Sequence, residues 1–368
     1  MKEIELDNNL ELQIIATGMH LSPEFGNTYQ QIEKDGFIIN KKIDILLSSD
    51  SEVGIAKSMG LGMIGFADAF NDLSPDLLVV LGDRFEIFSA VSVAMIAKIP
   101  VAHLSGGEAT EGLIDEPIRH SITKMSHLHF TATNEYRNRV IQLGEQPDRV
   151  FNVGGLGIDN INKLKLLTKS DFEKAIDFEL GEKNLLVTFH PVTLENSTSE
   201  TQFQELLDSI SELKNTKIIF TKANSDTDGR IINSMIDAYV AKHDNTIAFV
   251  SMGQLNYLSA LQFMDAVVGN SSSGLLEAPS FKIATIDIGD RQKGRIKADS
   301  VISCLPSKDS IGKAFNELYS KQFQSAVGKV ENPYGKDGAS EEIVRIIKDI
   351  SLDGIVKKSF YDFKGFSQ

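Results

Sequence analysis

The residues best suited to chemistry stand where apolar runs end. Asp83-Arg84 follows VVLG, Ser105-Gly106-Gly107-Glu108 follows PVAHL, and His190-Pro191 follows LLVTF. Asn270-Ser271-Ser272-Ser273-Gly274 follows AVVG, and Asp290-Arg291 follows IATIDIG. Asp83 is a candidate acid or base, and Arg84 a candidate phosphate ligand; the plainer reading is a helix-capping Asp beside a surface Arg. SGGEATEGLIDEPIRH is the densest stretch, with Glu108, Glu111, Asp115 and Glu116 running through a glycine-rich loop. Carboxylates that converge in a cleft raise one another's pKa, which keeps a proton donor available near neutral pH. The competing reading is an acidic surface loop that leads into a helix whose first turn favours Asp and Glu. Arg119 and His120 on that helix read as structural, with Arg119 in reach of Glu116.

His190 ends a strand-like run, and the proline after it keeps its backbone extended. It is a candidate phosphate or acid–base contact. In GNSSSGLLEAPSF a strand runs into small residues that open a helix, where backbone N–H groups and serine hydroxyls form an anion site. Glu277 follows, placed to accept the hydroxyls of a ribose; the bland alternative is a serine-rich helix cap. A phosphate-binding GxxxxGK[ST] loop is absent. His103, His127 and His129 lie in strand-like segments and read as ordinary, partly buried histidines. No HExxH pattern and no partner cysteines accompany them, so no metal is expected.

The elements that must position these residues alternate. LELQIIAT, PDLLVVLGD, IPVAHLS and HLHFTAT read as strands, with PDLLVVLGD a fully buried one, and FEIFSAVSVAMIAK and IDEPIRHSITKMS between them as helices. The rhythm restarts with NLLVTFHP, TKIIFTKA, NTIAFVS, DAVVGN and IATIDIG. Two α/β domains follow from this pattern, each a doubly wound parallel sheet. Their boundaries are set at 1–160 and 161–350, with the glycine-rich 154–157 as a hinge and 351–368 crossing back to the first domain. Ligands of such sheets bind beyond the carboxyl ends of the strands, where all of the candidates above are placed.

A chain of 368 residues suits two domains, and its net charge of -14 argues against a nucleic-acid partner. The single cysteine, Cys304, sits in SVISCLP and reads as a buried, inert thiol. No run of about 18 apolar residues is present, so no membrane span is expected. The N-terminus MKEIELDNN carries no secretory signal, and a soluble, cytoplasmic protein is the expectation.

In order along the chain, GDRFE, HLSGGEATEGLIDEPIRHSITKMSHLHF, RVFNVGGLGIDNI, FHPVT, GNSSSGLLEAPSF and DIGDRQKGR resemble the hydrolysing UDP-N-acetylglucosamine 2-epimerases of sialic acid biosynthesis. They are equally similar to the related enzymes of legionaminic acid biosynthesis, which act on a 2,4-diacetamido-2,4,6-trideoxy sugar nucleotide. The resemblance implies two Rossmann-like αβα domains facing across a cleft, the glycosyltransferase-B type. It implies a reaction in which UDP is eliminated to leave a 2-acetamidoglucal, which is then rehydrated to N-acetylmannosamine. Neither a redox nor a metal cofactor is implied. On this resemblance Asp83 and Asp115 are catalytic, His190 lies near the diphosphate, and Arg84, Asn270, Ser271, Ser272, Gly274, Glu277 and Arg291 hold the nucleotide. A homodimer or homotetramer is implied as well.

Two departures stand out. Some relatives carry a catalytic glutamate directly after the strand, where this chain has Ser105; Glu108 is its nearest stand-in. Relatives also begin with a strand and a TGTRAEYG-like loop, whereas this chain opens in helix-like KEIELDNN, so a first strand is expected to be missing from the first sheet. A glycosyltransferase and a non-enzymatic sugar-nucleotide sensor are the competing functions. The carboxylate-rich loop favours the epimerase, since transfer to an acceptor needs no paired carboxylates around C2.

Overall fold

In the computed structural model, residues 1–47, 51–111, 113–192, 198–223, 229–335 and 337–363 are described, residue 160 by its backbone alone. The chain divides into two compact units. Unit 1 comprises 1–108, 114–159 and 336–368, and unit 2 comprises 109–113 and 160–335. Unit 1 begins α1 (Lys2–Glu5), β1 (Ile15–Thr17), α2 (Tyr29–Lys34), β2 (Lys41–Ile43), α3 (Glu52–Leu73), β3 (Leu78–Leu81) and α4 (Phe85–Ala97). It continues through β4 (Val101–Leu104), α5 (Asp115–Met125), β5 (Leu128–Thr131), α6 (Asn134–Gln142) and β6 (Val150–Asn152). The division between units falls inside α7 (Leu156–Lys163), just after the glycines read as a hinge.

Unit 2 runs from α8 (Lys169–Ile176) through β7 (Lys183–Thr188), α9 (Ser199–Ile210), β8 (Thr216–Thr221), α10 (Gly229–Val240), β9 (Thr246–Phe249) and α11 (Gly253–Leu261). There follow β10 (Ala266–Gly269), α12 (Ser273–Leu276), β11 (Ala284–Ile288), β12 (Val301–Cys304), α13 (Lys308–Leu318) and α14 (Lys321–Val327). Its six strands are all parallel, in the order β12-β11-β10-β7-β8-β9. The strand order reverses between β7 and β10, and loops leaving that point diverge to opposite faces and open a ligand crevice. Neighbouring residues of β7 show why two helical layers form. Leu185 and Val187 pack with Phe203, Leu206, Ile311 and Phe315, while Leu186 packs with Phe172, Leu258 and Leu261. A strand with both faces covered reads as an unbroken apolar run, as NLLVTF does. Cys304, on edge strand β12, is half-buried, and burial pushes its thiol up to about 12.

Unit 1 holds its parallel strands in two sheets, β1-β2 and β3-β4-β5-β6. This corrects the reading of PDLLVVLGD as a fully buried strand. β3 pairs only with β4, and its outer edge meets no strand among the described residues, so Val79 and Leu81 are 39% and 57% exposed. Helix α3 is long and apolar enough to cross a membrane by length and composition alone, though Lys57 and Asp68 interrupt its apolar run. Its inner side, with Gly54, Ser58, Gly62, Phe66, Ala69 and Phe70, is nonetheless buried as in a core helix. Gly62 is a close approach: a Cβ there would lie 3.3 Å from the Cβ of Ser89 on α4. The outer side leaves Val53, Met63 and Ile64 exposed.

The chain returns to unit 1 at residue 336 rather than 351. The reason is α15 (Ala339–Asp349), whose Ala339, Ile343 and Ile346 join Leu104, Leu128 and Phe130 in one core. The buried Asp159 carboxylate caps α15, accepting from the N–H groups of Gly338 (2.9 Å), Ala339 (3.0 Å) and Ser340 (2.6 Å). Beyond it the chain lies along β5 and α6. Lys358 donates to the carbonyl of Ser126 (2.6 Å) and to Glu145 (2.8 Å), and Phe360 packs on Gly144. Residues 364–368 of the expected crossing segment lie outside the described residues.

Two predictions follow from this anchoring. Asp159→Ala strips a helix N-terminus of its acceptors and should cost about 2–4 kcal/mol in urea unfolding of the whole chain. Burial raises the acid of Glu145, but hydrogen bonds from His129, Lys124 and Lys358 outweigh it, holding it at about 2 against an ordinary 4.5. A depressed carboxylate stabilises above its unfolded value and loses that contribution as pH falls toward the folded one. The stability advantage of wild type over Glu145→Gln should therefore be level above about pH 5 and shrink steadily toward about pH 3.

Candidate active site

In unit 1 the candidates stand at the carboxyl ends of β3 and β4. Gly82, at φ +85, turns the chain out of β3, and Arg84 caps α4 in extended geometry. Behind this turn His103 is fully buried. Its Nε2 donates to the Gly82 carbonyl at 2.8 Å, and its Nδ1 lies 3.2 Å from the Thr123 hydroxyl. Burial holds this imidazole down to about 4, so it is neutral, with the proton on Nε2. The sequence reading of His103 as an ordinary histidine thus missed that it pins the turn carrying Asp83. After β4, Ser105 adopts φ +66, a left-handed conformation uncommon for a residue with a side chain. The glycine two residues on is required there, since a Cβ on Gly107 would collide with the carbonyl of Tyr136 on α6.

Arg119 rises from α5 beneath these loops. Its side chain is 1% exposed, yet the guanidinium reaches Asp83 with one nitrogen. With the other it donates to Glu116 (2.6 Å) and to the backbone carbonyl of Glu108 (3.1 Å). Burial disfavours the charge, but Asp83, Glu108 and Glu116 more than compensate and raise the guanidinium above its ordinary value. The carboxylates therefore gather around a cation, whereas the sequence reading had them pressed against one another. Asp83 and Glu116 differ in what is left over. Glu116 bonds Arg119 through Oε2 and His120 through Oε1 at 3.1 Å, so both of its oxygens are engaged. Asp83 is anchored through Oδ2, and its Oδ1 meets no hydrogen-bond donor among the described residues.

Asp115 is the first residue of α5, half-buried beside Glu116. Glu111 is not in this group. Its segment, 109–113, belongs to unit 2, where Glu111 pairs with Lys293 at 3.0 Å and donates its N–H to the Lys293 carbonyl at 3.0 Å. Arg84 meets Glu86 at 3.3 Å, and Glu86 packs against Gly18 at the end of β1. Glu86 and His20 therefore join the neighbourhood, although neither was selected from the sequence. The signal available was TGMH, a strand end followed by a histidine.

In unit 2 the candidates stand at the reversal of strand order. His190 follows β7 and Asn270 follows β10. Asn270 is 1% exposed and uses its amide on the His190 backbone, accepting at 2.7 Å and donating at 2.8 Å. The expected ligand contact is therefore a brace that fixes the histidine. The Asn270 carbonyl in turn accepts from Arg291 (3.2 Å) and from Gln292 (2.8 Å), a buried residue the sequence did not flag. Ser271 and Ser272 are half-buried. Helix α12 has only four residues, shorter than the helix the sequence reading placed after these serines. Gly274 is there for packing, since a Cβ would lie 2.6 Å from Thr285 Cγ2. Glu277 follows α12. Burial raises its acid, against the pull of Ser273 and Arg295. Tyr257, also missed, donates to Ser273 at 2.5 Å. No cluster of metal-ligating side chains occurs among the described residues.

The family model described as UDP-N-acetylglucosamine 2-epimerase matches residues 2–348. A GDP/UDP-N,N'-diacetylbacillosamine 2-epimerase (hydrolyzing) of Campylobacter jejuni is 45% identical over 98% of this chain and 94% of its own length. Polysialic acid biosynthesis protein P7 of Escherichia coli is 42% identical over 97% of this chain and 90% of its own length. Among solved structures, the Neisseria meningitidis UDP-GlcNAc 2-epimerase bound to UDP-GlcNAc superposes with a TM-score of 0.81 at 20% identity, covering 95% of each chain. That likeness shows the fold, two Rossmann-like αβα units of the glycosyltransferase-B type. With a matching family model over nearly its whole length and relatives above 40% identity, the chain belongs to the UDP-N-acetylglucosamine 2-epimerase family.

Proposed function

We propose that this chain is a hydrolysing 2-epimerase of a UDP-linked 2-acetamido sugar, with UDP-N-acetylglucosamine converted to N-acetylmannosamine and UDP. The observation that carries the reading is Asp83, held through one oxygen by buried Arg119 with the other oxygen open. A sugar C2–H is a weak acid, so its removal needs a base fixed at contact distance. In this reading Asp83 takes the C2 proton as the C1–oxygen bond breaks and UDP leaves. The 2-acetamidoglucal then gains water at C1 and a proton at C2 on the opposite face. That second proton needs a second acid, and Asp115 is assigned the part, with Glu108 as the alternative. Carbon is neither oxidised nor reduced overall, and the chemistry calls for no cofactor.

The nucleotide is assigned to Arg84, His190, Ser271, Ser272, Glu277 and Arg291, with Asn270 and Gly274 shaping their loops. His190 and Arg291 face the diphosphate, and Glu277 the ribose. A homodimer or homotetramer in the cytoplasm is part of the same proposal, and light scattering tests the assembly.

A second substrate is favoured by a specific observation. The C. jejuni relative named for a diacetylbacillosamine nucleotide is 45% identical over nearly the whole chain. A 2,4-diacetamido-2,4,6-trideoxy sugar carries the same acetamido group at C2, so the chemistry above is unchanged. Parallel assays on the two UDP-sugars should yield UDP and a free 2-epimerised sugar from at least one. Product formed only with an added acceptor would make the protein a glycosyltransferase, and intact substrate in both would make it a sensor.

Asp83→Asn should lower kcat by about 10²- to 10⁴-fold and leave UDP affinity within about twofold. Glu277→Gln should do the reverse. It gives up charge-assisted bonds to the ribose worth about 1.5–3 kcal/mol, which is roughly a ten- to hundredfold loss of UDP affinity in calorimetry.

A further inference from the structure

We propose that Arg119 is a positioning residue for the reaction: a buried cation that sets the direction of Asp83 and ties the β3–α4 turn to the β4–α5 loop. The inference rests on the reading of Asp83 as the base. Sequence alone made Arg119 a structural partner of Glu116. The structure gives it three partners from three segments: Asp83 after β3, the Glu108 carbonyl after β4, and Glu116 on its own helix.

A merely structural role fits these contacts poorly. Placing a cation at 1% exposure carries a desolvation cost that an apolar side chain filling the same space would avoid. Its two carboxylate partners are also not core groups. Asp83 and Glu116 are 21% and 25% exposed, so the buried guanidinium holds two carboxylates that reach the surface. The planar fork matters as well. One nitrogen serves Asp83 and the other serves Glu116 and Glu108, a spread that a single ammonium cannot reproduce. Glu116 has a second holder in His120, whereas Asp83 has no other hydrogen-bond partner among the described residues. Loss of Arg119 therefore falls on Asp83 above all.

The test uses Arg119→Lys, which keeps the charge and loses the fork, beside Arg119→Ala, Asp83→Asn and the Asp83→Asn/Arg119→Lys double variant. Arg119→Lys should lower kcat by about 100-fold, with KM and UDP affinity within about threefold, because ground-state binding is untouched. Added guanidinium ion should restore Arg119→Ala by at least about tenfold. The double variant should be no slower than Asp83→Asn, since residues acting as a unit are non-additive. Hydrogen exchange, which needs no substrate, should quicken at 82–86 and 105–108 in Arg119→Lys while distant segments stay protected. A kcat within about threefold of wild type, additive losses in the double variant, or unchanged exchange in both loops would overturn the inference. Wild-type protein inactive on both UDP-sugars would instead sink the functional reading, and the exchange result would still decide whether Arg119 orders the two loops.

Discussion

A buried guanidinium that joins two strand-end segments and the first turn of its own helix is the constraint on which the proposed chemistry of the first unit depends. Arg119 is out of water, and it can stay charged there only because Asp83, Glu108 and Glu116 surround it. The dependence runs both ways. Asp83 lies beyond the end of a four-residue strand whose outer edge meets no strand among the described residues, so the backbone alone does little to fix it. Its side chain is held by Arg119, and the turn that carries it by His103 through the Gly82 carbonyl. The buried neutral histidine and the buried cation thus perform complementary tasks, one holding the turn and the other the side chain.

The second unit solves its problem differently. Its sheet is complete, six parallel strands with helices on both faces, and the reversal between β7 and β10 opens the ligand position. There the brace is neutral. Asn270 holds the His190 backbone with both of its polar atoms, and its own carbonyl is gripped by Arg291 and Gln292. A chain of hydrogen bonds of this kind fixes the backbone that carries the histidine. In the proposed reading the first group of residues moves protons and the second holds the nucleotide.

Much of this was legible in the sequence, and the reasons are physical. Strands β7, β10 and β11 of unit 2 are buried on both faces, so each shows as an apolar run with a polar stop. His190 and Asn270 were singled out in that way. What the sequence could not carry was direction. Asn270 reads as a ligand contact from its place and proves to be a brace. Glu111 reads as one of a carboxylate cluster, yet it pairs with Lys293 in unit 2. The role of Arg119 depends on contacts separated by 36 residues in the chain, which no local pattern displays. Short strands were also elusive: β2 and β6 are three residues each, too brief for alternation to show. The run ending at Gly82 was read as a fully buried strand, because composition does not reveal whether a neighbour is present on each side.

The central claim is that Asp83, set by Arg119, removes the proton at C2 of a UDP-linked 2-acetamido sugar. Turnover in deuterium oxide followed by mass spectrometry and NMR of the released sugar tests it most directly. The account predicts one deuterium per product molecule, located at C2, with incorporation lost in step with turnover in Asp83→Asn. Product released with protium at C2, or label incorporated at the wild-type rate without Asp83, would contradict it.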